Sequence, residues 1–423
     1  MCMTIRTWRV LQSVRNRLKT QPKNSRLASR PLKLSSKRLF SIKMTSLAEH
    51  SLPETYNGLL FHSASSPPTL TALPTPIPTA GTVIVKPLYS IIVQYANTIF
   101  TNGNPRGYKY PLPLVPGGAC VARVAAVPSD ATSLKPGQLV YVEITVRGRD
   151  DPNIKILRGF HEGNSEGTRR LMGGEWRNGC WATLCTAPLE SVHAFDEEIL
   201  VGKLGYKLEE LGSLSQLVVP YGGLADIGLK PGETVLIAPA TGSFSSAAVH
   251  VALAMGARVI AMGRNEAALA ELKKLAEPGR VETVKISGDV QEDINALAKF
   301  GPLDVYFDIS PSLASKSSHI KAGIMSLRPG GRMSLMGGIH GDIDLPYWHI
   351  SYNGITIKGT FMNTIQQAKD LIKLVERGVL KIGSRAGMKV AGKYKLEDWE
   401  QAFDVAAAEG GPGRSVYFIP NGE

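Results

Sequence analysis

Between residues 234 and 265 the chain gathers small and polar side chains whose spacing suits a phosphate-bearing ligand. A β-branched and aliphatic run at 234–237 leads through a turn containing Pro239 and Gly242 into Ser243, Phe244, Ser245 and an Ala-rich stretch ending at Met255. A strand that enters a helix through a tight turn aims the unpaired amides of the first helical turn at the space before it, and those amides attract anions. The fullest form of such a turn has three glycines; here the places hold Pro239, Gly242 and Ser245, so only the middle one survives. At Gly242 the absence of a side chain lets a pyrophosphate approach, and Ser243 and Ser245 are small and carry hydroxyls. A second strand at 258–262 runs into Gly263, Arg264 and Asn265. An acidic residue there would accept from a ribose 2′-hydroxyl, whereas glycine removes bulk and Arg264 offers a fork for a 2′-phosphate. The predicted cofactor is NADP(H), bound by Gly242, Ser243, Phe244, Ser245, Gly263, Arg264 and Asn265, with Met336 and Gly337 at the end of a later strand.

The elements that must position these residues follow from periodicity. Gly256 stands where a helix C-terminus favours a left-handed residue, and Asn265 can cap a helix whose Leu269, Leu272 and Leu275 share a face. Strands are expected at 281–286, 303–308, 332–336 and 355–358, with helices at 291–300 and 315–327 between them. Six strands separated mostly by helices predict an α/β fold with a doubly wound parallel sheet. Upstream, short β-branched runs at 82–86 and 121–127 in a Pro-rich context predict small antiparallel strands in a partly open barrel.

The pieces at 229–237, 254–261, 304–308 and 327–332, together with 113–118, 135–142 and 413–417, resemble the medium-chain dehydrogenase/reductase superfamily, and the match runs through most of residues 55 to 420. The resemblance implies a Rossmann domain inserted in a GroES-like, mostly β catalytic domain. The expected division is a basic leader at 1–46, a GroES-like catalytic domain at 47–212, a Rossmann NADP-binding domain at 213–360 and a segment at 361–423 completing the catalytic domain. It also implies a homodimer through an edge strand of the Rossmann sheet.

Zinc-dependent members of that superfamily carry a catalytic Cys soon after the first strands and a Gly-His-Glu turn. Here Gln94 stands at the place of that Cys, and Gly117, Gly118 and Ala119 replace the turn, so the resemblance implies a zinc-independent branch close to quinone oxidoreductases. A structural zinc is unsupported as well, since Cys2, Cys120, Cys180 and Cys185 include no C-x2-C pair. In zinc-free members, polar side chains and the cofactor ribose offset charge on the reduced substrate. Gln94 and Asn97 occupy the places of a frequent Asn-x-x-Asp, and Tyr108 falls near the tyrosine acid of enoyl reductases, with a pocket-wall role as its alternative. The expected catalytic set is therefore Tyr108, Gln94 and Asn97, acting on a small-molecule carbonyl or activated double bond. A non-catalytic NADPH-binding protein on the same fold is the second reading.

Charge is distributed unevenly along the 423 residues. Residues 1–46 hold twelve Lys or Arg and no Asp or Glu, and the remainder balances at 36 basic and 36 acidic. A basic groove for nucleic acid is therefore unsupported. The Arg-rich, acid-free leader reads as a mitochondrial transit peptide with Ser41 near its cleavage point; translation from Met44 with a cytoplasmic product is the alternative. No run of apolar residues is long enough for a membrane span. The Gly- and charge-rich stretch at 147–178 reads as an irregular insertion, either a lid or a surface excursion.

Overall fold

The computed structural model describes residues 52–422, so the leader and the readings placed on it lie outside the described residues. Strands β1 (Thr55–Leu60) and β2 (Thr69–Pro74) pair as an antiparallel hairpin. Strand β3 (Thr82–Ile92) is followed by the short helix α1 (Ala96–Phe100) and by β4 (Cys120–Ala126) and β5 (Leu139–Val142). Next come β6 (Thr145–Arg147), β7 (Lys155–Leu157), helix α2 (Glu166–Gly173), β8 (Cys185–Pro188) and β9 (Val192–Ala194). Helices α3 (Leu208–Leu211) and α4 (Leu214–Asp226) lead into a second layer.

That layer alternates β10 (Thr234–Ala238), α5 (Ser243–Ala254), β11 (Arg258–Gly263), α6 (Glu266–Lys273), β12 (Val281–Lys285), α7 (Val290–Ala298), β13 (Leu303–Asp308), α8 (Ser318–Met325) and β14 (Leu327–Leu335). Helix α9 (Tyr347–Asn353) and β15 (Thr356–Gly359) end it, and α10 (Ile365–Glu376), β16 (Lys389–Tyr394), α11 (Trp399–Glu409) and β17 (Arg414–Phe418) close the chain.

The six expected strands form one parallel sheet in the order β12-β11-β10-β13-β14-β15. The inner strands β10, β11 and β13 are runs of Val, Ile, Leu, Ala and aromatics buried on both faces, as a parallel sheet covered by helices requires, while the edge strands β12 and β15 carry Lys285 and Lys358. The strand order reverses between β10 and β13, whose ends pair as Ala238 with Asp308. In open α/β sheets ligands sit beyond the carboxyl ends of the strands at this reversal. Gly256, at φ +88°, ends α5 in the left-handed region and lets the chain turn directly into β11.

The other large sheet is mainly antiparallel, ordered β16-β17-β3-β4-β5-β9 with β8 also on β3. The pairing of β17 with β3 brings the last strand onto the first strand of this sheet: Val416 lies opposite Ile92. One apolar cluster links the two sheets, running from Tyr89, Tyr141 and Tyr417 through Leu214 and Leu217 of α4 to Val235 and Phe307. A second is built on Trp181, 1% exposed, whose ring lies 5.4 Å from Phe100, 5.4 Å from Phe403 and 5.1 Å from Phe418. It pins α1 and α11 to the antiparallel sheet.

One expectation needs correction. The stretch at 147–178 is not an irregular insertion: it contains the β6–β7 hairpin and α2, capped by Ser165, and buries Arg158, Met172 and Trp176. Its charge density misled because the charges at 149–151 are exposed while Arg147 and Arg158 are buried with the apolar residues.

Candidate functional site

The carboxyl ends of β10, β11, β13 and β14 build one edge. Gly242 takes the N-cap of α5 in extended backbone, and the amides of Ser243, Phe244 and Ser245 open the helix. Gly242 is exposed, and a Cβ there would meet only the Ser245 hydroxyl, at 3.1 Å. No packing within the chain demands glycine at this point, so the space in front of the helix stays free for an anion. Ser245 is buried, and its Oγ accepts the Gly242 amide at 2.8 Å, so the hydroxyl closes the turn instead of facing a ligand. The Ser243 Oγ accepts from Gln216 Nε2 at 2.6 Å, while Phe244 is half-buried.

At the end of β11 a Cβ on Gly263 would come 2.8 Å from the Thr241 methyl, so this glycine lets the dinucleotide turn pack across the strand. Arg264 is exposed, and no ion pair or hydrogen bond engages its guanidinium among the described residues. Asn265 serves α6: its Oδ1 accepts the Ala268 amide at 3.1 Å. The Met336 amide donates to the Asp308 carbonyl at 2.9 Å, and a Cβ on Gly337 would lie 2.7 Å from the Ser310 nitrogen, so the loops after β13 and β14 are zipped together.

Sequence reasoning missed the polar chain beneath those loops. Ser310 Oγ donates to Asp308 Oδ1 at 2.6 Å and lies 2.9 Å from His319 Nε2, and His319 Nδ1 is 2.6 Å from Ser317 Oγ. Since the carboxylate only accepts, Ser310 donates to Asp308 and accepts from His319 Nε2–H, which places a proton on that ring nitrogen. Asp308, Ser310 and His319 are all buried. The signal available in the sequence was an acid closing a strand at the switch point.

The catalytic candidates sit on the antiparallel layer. Gln94 is exposed just before α1, and its Nε2 reaches the Ala407 carbonyl of α11 at 3.5 Å, the limit of a hydrogen bond. Gly410, past the end of α11, lies against the Gln94 Cβ at 3.4 Å from its own ideal Cβ position. The connection from α11 to β17 also reaches the dinucleotide turn, because Gln216, which holds Ser243, donates to the Arg414 carbonyl at 3.1 Å. Gln94 and the α5 N-terminus are thus linked through residues 407–415, and Gln216 and Arg414 are two residues the sequence reading did not place in the site.

Asn97 lies half-buried within α1, its carbonyl accepting from Thr101 and Asn102. Tyr108 is half-buried with its ring edge-on to Phe160 at 5.5 Å and to His161 at 5.1 Å, and its backbone is clamped by Asn104. The phenol of Tyr95 is pushed well above the usual tyrosine range by burial and by the neighbouring Tyr108. None of the hydrogen bonds named joins Gln94, Asn97 and Tyr108 to one another; α1 and the loop after it carry all three.

Two family models match the chain: the alcohol dehydrogenase GroES-like domain over residues 79–197 and the zinc-binding dehydrogenase over residues 245–377. The chain belongs to the medium-chain dehydrogenase/reductase superfamily. It has the nicotinamide-dinucleotide-binding dehydrogenase fold of that superfamily of oxidoreductases. Over 300 residues, 70% of this chain and 79% of the relative, it is 22% identical to an L-threonine 3-dehydrogenase of Anaeromyxobacter dehalogenans. It is 27% identical to an L-arabinitol 4-dehydrogenase of Aspergillus oryzae over 312 residues, 69% of this chain and 74% of that one. Among solved structures it resembles an NAD-dependent alcohol dehydrogenase (TM-score 0.65, 22% identity, 86% of this chain and 99% of that one). A crotonyl-CoA carboxylase/reductase in complex with NADP gives a TM-score of 0.66 at 14% identity, over 88% of this chain and 96% of that one.

Within this superfamily the residues present fit the dinucleotide its members hold. The open α5 N-terminus before Gly242 suits a dinucleotide pyrophosphate. At the turn where zinc-dependent members carry Gly-His-Glu, a Cβ on Gly118 would fall 2.1 Å from the Ile144 side chain, and Gln94 and Ala119 are not strong zinc donors. Among the described residues no group of three His, Cys, Asp or Glu is arranged to hold a metal ion.

Proposed function

We propose that this chain is a zinc-independent, NADP(H)-dependent oxidoreductase that moves hydride to or from a carbonyl or an activated C=C of a small or acyl-chain substrate. The observation that carries the cofactor choice is the exposed, unengaged Arg264 after Gly263, with no acid at the end of β11 to accept from a 2′-hydroxyl. Zinc independence is supported by Ile144 filling the space at Gly118 and by the amide at Gln94.

The bound nicotinamide supplies or accepts the hydride. The α5 amides hold the pyrophosphate, Arg264 pairs with the 2′-phosphate, and the zipped loops after β13 and β14 keep the edge of the sheet from shifting. Gln94, held by a bond at the length limit, is free to turn its amide toward a substrate oxygen and donate to the charge that develops there. A non-catalytic NADPH-binding protein is the second reading, favoured by the absence of a direct hydrogen bond among the three candidates. Two copies would join through β15, an edge strand beside Tyr347, Trp348 and Tyr352, which are 82%, 74% and 76% exposed. The Arg-rich leader supports import into mitochondria.

Purified protein tested for NADPH oxidation against quinones, enals, enoyl thioesters and ketones, with zinc content measured on the same sample, tests this reading. Turnover of at least one class with far less than one zinc per chain is expected. Stoichiometric zinc, or NADPH binding without turnover of any class, would overturn the zinc-free enzyme.

A further inference from the structure

Behind the turn at 117–119 a guanidinium is buried among thiols. Arg158 is 0% exposed; its NH1 donates to Cys185 Sγ at 2.9 Å and to the Thr186 carbonyl, its NH2 to the Gly118 carbonyl at 3.4 Å, and its Nε has no partner. Cys120, Cys180 and Cys185 are unbridged and buried, and the Cys180 thiol donates to the Ala119 carbonyl at 3.5 Å. Among the described residues no carboxylate lies within ion-pair distance of Arg158, and the ionisable groups acting on it are these three thiols. An arginine does not give up its proton inside a protein, and a buried charge left without a counter-ion is among the costliest arrangements a fold can hold. The only anion the surroundings can provide is a thiolate.

We propose that one sulfur of the Cys120–Cys180–Cys185 trio is ionised in the folded protein as the counter-ion of Arg158, and that the trio is a modification site for small soft electrophiles, entered at Cys185. The entrance is a cavity of 290 Å³ lined by Tyr56, Pro76, Glu175, Asn178, Cys185 and Thr186. Burial opposes ionisation at Cys180, yet the neighbouring Cys120 and the charge of Arg158 hold its pKa below the ordinary thiol value. Burial raises Cys185 to about 11, with the Cys180 charge adding to it. The trio therefore titrates as a unit with one negative charge, and an electrophile takes the sulfur it can reach. With an α,β-unsaturated carbonyl the C–S bond forms at the β carbon, the C=C π bond breaks and the α carbon takes a proton from water. An adduct there would displace Arg158 from Gly118, beside the candidate catalytic layer.

The test is alkylation of the full-length native protein by iodoacetamide from about pH 6 to about pH 9, mapped by peptide mass spectrometry; sulfur displaces iodide and keeps the acetamide. Among Cys120, Cys180 and Cys185 the expected result is one label, on Cys185, at a rate nearly flat with pH, against the roughly tenfold rise per unit of an ordinary thiol below its pKa. Arg158→Met should restore that rise. Where Arg158→Met does not fold, the ultraviolet thiolate absorbance of the folded wild type, read against Cys180→Ala and Cys185→Ala, decides. Its presence at neutral pH supports the ion pair, and its absence overturns it. Labelling that waits for denaturation, or that climbs tenfold per unit in the wild type, also overturns the proposal.

Discussion

The parallel and antiparallel layers hold their candidate residues in different ways. On the parallel side, Gly242 to Ser245 and Gly263 to Asn265 come from a single strand–turn–helix–strand unit, and each position follows from a neighbour: Gly242 caps α5, Thr241 packs on Gly263, and Asn265 caps α6. On the antiparallel side, Gln94 finds its partner Ala407 at a sequence separation of 313 residues, through the pairing of β3 with β17 and the packing of α11 on Trp181. A cofactor edge built locally tolerates a degraded glycine fingerprint. A substrate layer built from distant segments depends on its core.

That contrast is broken most forcefully at Trp181. Trp181→Ala removes the ring that joins Phe100 of α1 to Phe403 of α11 and should cost about 3–5 kcal/mol in chemical denaturation. A loss under about 1 kcal/mol would show that the antiparallel layer does not rely on this cluster. The parallel layer should break differently. Gly242→Asp keeps a good N-cap and so leaves thermal stability near wild type, while its carboxylate opposes the pyrophosphate and weakens NADPH and NADH alike by about 100-fold, the scale of a like-charge contact of several kcal/mol. Unchanged cofactor binding in a folded Gly242→Asp would move the pyrophosphate away from α5.

Much of the parallel layer was legible because its signals are local. Period and turn chemistry located all six strands, the Asn265 cap and the Gly256 stop. Side-chain roles were less legible. The Ser245 hydroxyl was expected to face a ligand and instead closes its own turn, and Gly263 was expected to clear space for a ligand and instead admits Thr241. Both depend on a contact that no spacing rule encodes. The Asp308–Ser310–His319 chain and the Gln216 bridge between Ser243 and Arg414 need the tertiary arrangement, as does the burial of Arg158 in a stretch whose composition reads as loop.

A smaller effect separates the catalytic candidates. Gln94→Ala should lower kcat by about 10- to 100-fold if its amide stabilises charge on the substrate oxygen, with NADPH affinity retained. Tyr108→Phe tests the hydroxyl: a fall of about 100-fold marks it as the proton donor, and near-normal kcat leaves the ring as a pocket wall packed on Phe160 and His161. The double variant should be less than additive if both groups act on one oxygen.

The account turns on Arg264. Dissociation constants of NADPH and NADH, measured by calorimetry for the wild type and for Arg264→Ala, test it most directly. Wild-type protein should favour NADPH, and Arg264→Ala should lose about 10- to 100-fold in NADPH affinity, the scale of about 1.5–3 kcal/mol for hydrogen bonds to a charged group, with NADH unchanged. Equal weakening of both cofactors, or a wild type that prefers NADH, would contradict it.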